Sequence, residues 1–219
     1  MELVFATNNA HKLFEVREKL RLLNSDIKIL SLSDIGFLDE IPETGDTLRA
    51  NALQKAETVY EFTTRRDARP CVSTIGIFAD DSGLEIPALN NEPGVHSAHY
   101  AGTSTEFTLS KAEGLSDRAE RNINLVLSNM HEKTNRNACF KTVIALILDG
   151  KTHYFEGRVD GEITTEKHGE KGFGYDPIFR PDGHQKTFAE FTLDEKNAIS
   201  HRGRAVDALI KFVCSEFYS

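Results

Sequence analysis

Two acids stand side by side at Asp80-Asp81 and are followed by Ser82-Gly83, between the apolar runs Gly76-Ile77-Phe78-Ala79 and Leu84-Glu85-Ile86. Adjacent carboxylates repel unless a cation, a shared proton or strong hydrogen-bond donors offset their charge. Mg²⁺ is the economical answer, because it takes hard oxygen ligands, binds through one or two carboxylates plus substrate phosphates, and keeps several waters. One aspartate then ligates while the other polarises a water. The competing reading makes both acids solvated turn residues or caps, the commoner fate of an Asp-Asp pair.

A second group is Thr7-Asn8-Asn9-Ala10-His11-Lys12. It sits where a strand gives way to a helix, so backbone N–H groups and the positive end of the helix dipole can hold a phosphate, with Lys12 as a mobile cation. It matches neither of the standard glycine-rich phosphate loops, and an Asn-rich turn with a surface lysine is the plainer alternative. Downstream, Phe173, Gly174, Tyr175 and Asp176 lie in a loop with three glycines, Gly169, Gly172 and Gly174. The two aromatic rings there offer a face for a planar base, or serve as core anchors of a shaped turn. Lys196, His201 and Arg202 cluster near a junction of two helices, where a cationic donor can meet a carbonyl or phosphate, or simply cap a helix. His11 and His201 lack an HxH or HxxxH partner, which argues against transition-metal ligation.

These residues need positioning elements. Leu3 to Ala6 reads as a buried first strand. Leu13, Val16, Leu20 and Leu23 recur at helical spacing behind it, and a second helix is predicted from Thr47 to Phe62, capped by Asp46 or Thr47. The acids interrupt two extended segments. A third helix near Ser116 to Glu132 precedes strands at Ala138 to Leu148 and Thr152 to Phe155, joined by a tight Asp149-Gly150 turn. Lys167 to Pro177 reads as a loop. Thr192 and Glu195 form a capping box for a short helix, and Val206, Leu209, Ile210, Val213 and Phe217 line the last one. The sum is a mixed α/β architecture, helices covering a twisted, partly antiparallel sheet.

At 219 residues with 39% hydrophobic and 27% charged residues, the chain fits one globular folding unit rather than a disordered or fibrous class. Its 26 Lys and Arg against 34 Asp and Glu give a net charge of −8, the wrong sign for a general nucleic-acid backbone binder. Any polyanionic ligand therefore needs a local basic pocket. Cys71, Cys139 and Cys214 show no metal-ligand spacing and are expected to be reduced, mostly buried thiols. The acidic start of the chain and the lack of a long apolar run predict a cytoplasmic protein without a membrane anchor.

Taken in order, the segments resemble the inosine triphosphate pyrophosphatase family over nearly the whole chain. The resemblance rests on Phe5-Ala6-Thr7-Asn8-Asn9-x-x-Lys12, Glu43-Thr44-Gly45, Asn51-Ala52-x-x-Lys55-Ala56, Phe78-Ala79-Asp80-Asp81-Ser82-Gly83-Leu84 and Pro93-Gly94-Val95-x-Ser97-Ala98-x-Tyr100-Ala101-Gly102. It continues through Gly172-Phe173-Gly174-Tyr175-Asp176-Pro177-Ile178-Phe179 and Glu195-Lys196-Asn197-x-x-Ser200-His201-Arg202-Gly203. Each piece is modest, and the ordered set is specific.

That resemblance implies a single ITPase-like α/β domain over 1–219, an elongated two-lobed mixed twisted sheet flanked by helices, with the active site in the cleft between the lobes. It implies Mg²⁺-dependent hydrolysis of ITP, dITP and XTP to the monophosphate and pyrophosphate by a homodimer. Thr7, Asn8, Asn9, Ala10, His11 and Lys12 would hold the triphosphate, and Ser82 would touch the substrate. Asp81 would be proton acceptor and metal-linked carboxylate, assisted by Lys12. Phe173, Gly174, Tyr175, Asp176, Lys196, His201 and Arg202 would form the base pocket. Hypoxanthine and xanthine present an acceptor oxygen at C6 where adenine presents an amino donor, so a Lys196 or Arg202 donor favours the former.

Two features depart from the family pattern. Many relatives carry an acid just before the Asn-Ala of the second helix, whereas this chain reads Thr47-Leu48-Arg49-Ala50-Asn51-Ala52. The second metal carboxylate is then expected from Glu43, or failing that Asp80. The stretch Arg65 to Ile77 is also longer than usual and is expected to be a lobe-edge loop or strand extension. The competing functions are a pyrophosphatase for another modified nucleotide, such as a modified pyrimidine, and a non-catalytic nucleotide sensor, against which the retained Asp80, Asp81 and Lys12 argue.

Overall fold

In the computed structural model, residues 1–23, 27–65, 76–102 and 115–217 are described. Cys71 and most of the expected Arg65–Ile77 extension lie outside the described residues. Seven strands follow the hydrogen-bonded order β2-β1-β3-β5-β6-β7, with β4 on β3. They are β1 (Glu2–Phe5), β2 (Lys28–Leu30), β3 (Gly76–Ile86), β4 (Glu92–Gly94), β5 (Asn137–Leu148), β6 (Lys151–Ile163) and β7 (Phe179–Pro181). Among the described residues five α-helices accompany them: α1 (Ala10–Leu22), α2 (Leu48–Arg65), α3 (Leu115–Asn129), α4 (Leu193–Ile199) and α5 (His201–Phe217). The mixed α/β class expected from the sequence is the class observed. No described helix is long and apolar enough to cross a membrane.

The chain divides into two compact units, and β3, β5 and β6 contribute residues to both. The first unit comprises Met1–Ser82, Thr142–Arg158 and Asn197–Ser219. Here β1 runs parallel to both β2 and β3, with Val4 opposite Leu30 and Ile77. Side chains alternate across a strand. Leu3, Phe5 and Phe78 accordingly pack with Val16 and Leu20 of α1 and Val206, Leu209 and Val213 of α5. Val4, Ala6, Ile77 and Ala79 face the other way, onto Ala52, Ala56 and Val59 of α2. Phe5 and Phe78 stack at 4.5 Å and 5°, an aromatic pair worth about 0.5–1.5 kcal/mol beyond its buried area.

The second unit comprises Gly83–Lys141 and Val159–Lys196. Within it β4 lies antiparallel to Leu84–Ile86 of β3, and β7 lies antiparallel to Gly161–Ile163 of β6. Phe140, Phe179, Phe188 and Phe191 form an aromatic cluster whose Phe140–Phe179 centroids are 4.7 Å apart.

Three expectations are corrected by these elements. The acids do not interrupt two segments: β3 is continuous from Gly76 to Ile86 and carries Asp80, Asp81 and Ser82 inside it. The strand expected at Thr152 to Phe155 extends to Ile163. The short strands β4 and β7 were not foreseen, because three residues are too few to show a period. The Thr192 capping box does form, Thr192 N donating to Glu195 Oε2 at 2.7 Å and Glu195 N to Thr192 Oγ1 at 3.3 Å. Cys139 is a buried thiol that donates to Glu85 Oε2 at 3.9 Å, and the Cys214 thiol is partly buried.

Candidate active site

Because Asp80 and Asp81 are neighbours in a strand, they point to opposite faces of it. Asp80 shares the face of Phe78 and meets α1 and α5. Its Oδ2 accepts from Arg202 Nε at 2.9 Å, and its Oδ1 forms an ion pair with Lys12 Nζ at 3.0 Å. Ser82, two residues on, accepts from Arg202 Nη2 at 3.1 Å and pairs with the Thr142 hydroxyl at 2.7 Å. Arg202 Nη1 donates to Glu15 Oε2 at 2.5 Å. This network is almost fully buried: Asp80 is 1% exposed and Arg202 2%. Burial alone would raise the Asp80 carboxyl, yet Lys12 and Arg202 hold it far below the usual carboxylate range. The same burial lowers the Lys12 ammonium, against the pull of Asp80.

Asp81 shares the face of Ile77 and Ala79 and meets α2. Its Oδ2 accepts from Asn51 Nδ2 at 3.1 Å, and its Oδ1 accepts from Lys55 Nζ at 3.2 Å. Lys55 also donates to Glu43 Oε1 at 2.7 Å. Glu43 is brought there by a turn stitched onto α2: Gly45 N donates to Asn51 Oδ1 at 2.7 Å, and Thr44 and Gln54 exchange two hydrogen bonds. A Cβ on Gly45 would fall 2.7 Å from Ala50 Cβ, so the close approach needs glycine. Thr47 caps α2 as expected, its Oγ1 accepting from Ala50 N at 3.1 Å.

Three charges are tuned by this arrangement. Burial pushes the Asp81 carboxyl above its ordinary value, with Lys55, Lys12 and the Asn51 hydrogen bond opposing. Burial acts the same way on Glu43, but Lys55 overrides it and holds that carboxyl low. Burial disfavours the Lys55 ammonium, and Asp81, Asp80 and Glu43 more than restore it. Asp81 is thus the acid whose environment most favours taking up a proton.

At the start of α1, Asn9 is the N-cap and its Oδ1 accepts from His11 N at 3.0 Å and Lys12 N at 3.2 Å. Thr7 Oγ1 in turn accepts from Asn9 N at 3.1 Å. Two amides expected to face a phosphate are therefore already engaged by the cap. Asn8, Ala10 and His11 are exposed, and Lys12 is drawn inward to Asp80.

In the second unit, Lys196 Nζ donates to Asp176 Oδ2 at 2.6 Å and lies 4.9 Å from the Phe173 ring centre. Phe173 N also donates to Asp176 Oδ2, at 2.8 Å. Phe173 and Gly174 are partly exposed, whereas Tyr175 is buried and its hydroxyl donates to the Ser97 carbonyl at 2.8 Å. Of the expected aromatic pair, Phe173 offers a face and Tyr175 anchors the loop. Lys196 thus joins Phe173 to Asp176, while His201 and Arg202 belong to the first unit, where Arg202 is held by Asp80 and Glu15.

Sequence reasoning assigned no role to Glu15, Asn51, Lys55 or Thr142. A signal existed for two of them: Asn51 and Lys55 are four apart on one helix, so they share a face. Arg49, standing near the position of the missing acid, lies over the Tyr154 ring at 3.7 Å.

The donor set fits a divalent ion. Glu43 and Asp81 bring one oxygen each to a common positive centre, Lys55 Nζ. Two carboxylates with remaining ligands from phosphate and water are the usual holding of Mg²⁺. Among the described residues no group of three or more His, Cys, Asp and Glu gathers as an all-protein cage.

A mixed α/β fold that collects carboxylates and ammonium groups along one strand has the make-up of an enzyme acting on phosphoanhydrides. The model of the Ham1 family matches residues 3–212. A dITP/XTP pyrophosphatase of Flavobacterium psychrophilum is 47% identical over 97% of this chain and 98% of its own. That of Porphyromonas gingivalis is 46% identical over 97% of each. A solved structure of the Staphylococcus aureus Ham1 protein, 35% identical, superposes with a TM-score of 0.76 over 99% of this chain and 100% of its own. The chain belongs to the Ham1 family.

Proposed function

We infer that the protein is a nucleoside-triphosphate pyrophosphatase that hydrolyses non-canonical purine nucleotides, ITP, dITP and XTP, to the monophosphate and pyrophosphate. The observation that carries this reading is the pairing of a buried Asp81 with Lys55 and Glu43 on one face of β3, in a chain nearly half identical to dITP/XTP pyrophosphatases.

Glu43 and Asp81 are assigned to Mg²⁺, and Asp80 to anchoring Lys12 and Arg202. When bound, the ion supplies Lewis-acid neutralisation of phosphate charge. Asp81 takes the proton of the attacking water. Lys12 and Lys55 offset the charge that develops on the phosphates. Thr7 to Lys12 and Ser82 serve the triphosphate of one substrate. Phe173 stacks on its base, and the Lys196 ammonium donates to the 6-keto oxygen that adenine lacks. Arg202 acts on this substrate through Asp80 and Ser82. The enzyme works as a homodimer in the cytoplasm, a state that light scattering after size exclusion tests directly.

The deciding assay is pyrophosphate release from ITP with Mg²⁺, which chelation abolishes. A faster turnover of a modified pyrimidine triphosphate, or nucleotide binding without release, would reject the reading.

A further inference from the structure

Lys55 is a buried lysine, 4% exposed, whose ammonium bridges the two carboxylate oxygens assigned above to the metal, Glu43 Oε1 at 2.7 Å and Asp81 Oδ1 at 3.2 Å. We propose that Lys55 is an internal stand-in for the divalent ion, which makes metal entry depend on the arrival of the nucleotide's phosphates. This rests on the assignment of the metal to Glu43 and Asp81.

The argument is one of space and charge. Mg²⁺ lies about 2.1 Å from each ligand oxygen. An ion on the same two oxygens would lie no more than about 4.8 Å from the ammonium nitrogen, so two cations would crowd one pair of oxygens. In a buried site their mutual repulsion is weakly screened. Lys55 must swing away, and a buried ammonium that leaves the buried Asp81 and the exposed Glu43 needs another anion.

The neighbouring acid does not serve. Asp80 is on the opposite face of β3, with its oxygens engaged by Lys12 and Arg202. On the α2 side, Asn51 supplies a donor to Asp81 rather than an acceptor for Lys55. A triphosphate brings the missing negative charge. Metal and nucleotide then bind cooperatively, and each must raise the affinity of the other by the same factor.

The stand-in also explains how the acids rest without metal. Glu43 and Asp81 share a cation that the chain itself carries, so the buried Asp81 is not left uncompensated and the exposed Glu43 is held beside it. The cost is that free metal competes against Lys55 for the pair.

The test measures binding, without nucleotide and without turnover. Mg²⁺ or Mn²⁺ is titrated calorimetrically into wild-type protein, Lys55→Met, Lys55→Arg and the double variant Lys55→Met/Glu43→Gln, each checked for fold by circular dichroism. Lys55→Met is expected to bind metal about tenfold more tightly than wild type, within the usual span of coupling between sites. Lys55→Arg, which keeps a cation, should stay near wild type, and the double variant should lose the gain. Equal or weaker metal binding by folded Lys55→Met overturns the stand-in role. A gain that survives Glu43→Gln overturns the underlying metal assignment instead, which separates the two failures.

Discussion

Arg202 and Asp80 meet through an Nε–Oδ2 hydrogen bond of 2.9 Å in which neither residue is more than 2% exposed. A buried pair of this kind contributes little net stability, but breaking it leaves a charge with no water to return to. Arg202→Met removes the guanidinium that Asp80 and Glu15 share and leaves Asp80 to its Lys12 pair, so its expected cost is about 3–5 kcal/mol. Urea denaturation measures it. A loss below about 1 kcal/mol, the scale of an exposed ion pair, would show that the network is solvated.

Asp81 is the contrasting neighbour. It faces α2 and carries the raised carboxyl, so Asp81→Asn should keep the fold and bind nucleotide while kcat falls about 10²–10⁴-fold, the usual scale of acid–base catalysis. Asp80→Asn should lower stability as well as rate. Identical melting behaviour and identical rates for the two variants would contradict the division of labour between them.

In the proposed function Lys196 reads the base. Lys196→Met removes the donor over Phe173 and leaves Asp176 without its ammonium. The kcat/KM for ITP should fall at least about tenfold, the worth of a hydrogen bond to a charged donor, while the much lower value for ATP changes little. The readout is the ITP-to-ATP ratio. An unchanged ratio would move base selection to other residues.

Tyr175 supplies a pH signature away from the acids. Burial pushes its phenol well above the ordinary tyrosine value, so the folded state keeps the proton longer than the unfolded state. Stability from this group is whole below the unfolded value of about 10 and is lost as pH rises beyond it. Tyr175→Phe leaves the Ser97 carbonyl with the Asn122 amide as donor and should cost about 0.5–1.5 kcal/mol at pH 7. The gap between wild type and variant should narrow at pH 11 in chemical denaturation. A gap that widens would reverse the sign of the burial effect.

The helices of the first unit were readable because apolar residues three and four apart leave a stripe that tertiary contacts merely confirm. The site was readable only in its residue types. An Asp-Asp-Ser run resembles a turn, and nothing local reveals that Arg202, 122 positions away, neutralises one acid while Asn51 and Lys55 engage the other. Glu15 and Lys19 look like the wet face of α1. They are buried because Glu15 meets Arg202 and Lys19 meets Asp207 and the Asn197 carbonyl, partners the helical period cannot show. The divergence of Asp80 and Asp81 follows from strand alternation as soon as β3 is known to be continuous.

Gly157 links the sheet to the start of α5, where His201 and Arg202 lie. A Cβ there would sit 2.0 Å from the His201 carbonyl oxygen and 2.7 Å from Ala205 N. Both are backbone atoms, so no side-chain rotation relieves the clash and the helix must move. Gly157→Ala should therefore cost about 1–3 kcal/mol, the range for overpacking, and shift Arg202 away from Asp80. Thermal melting gives the first effect. The second appears as a fall in kcat beyond what the unfolded fraction accounts for, because Lys12 loses the fixed carboxylate that orients it. If Gly157→Ala melts and turns over like wild type, the approach of α5 to β6 is looser than 2.0 Å allows, and Arg202 is not held in place by that contact.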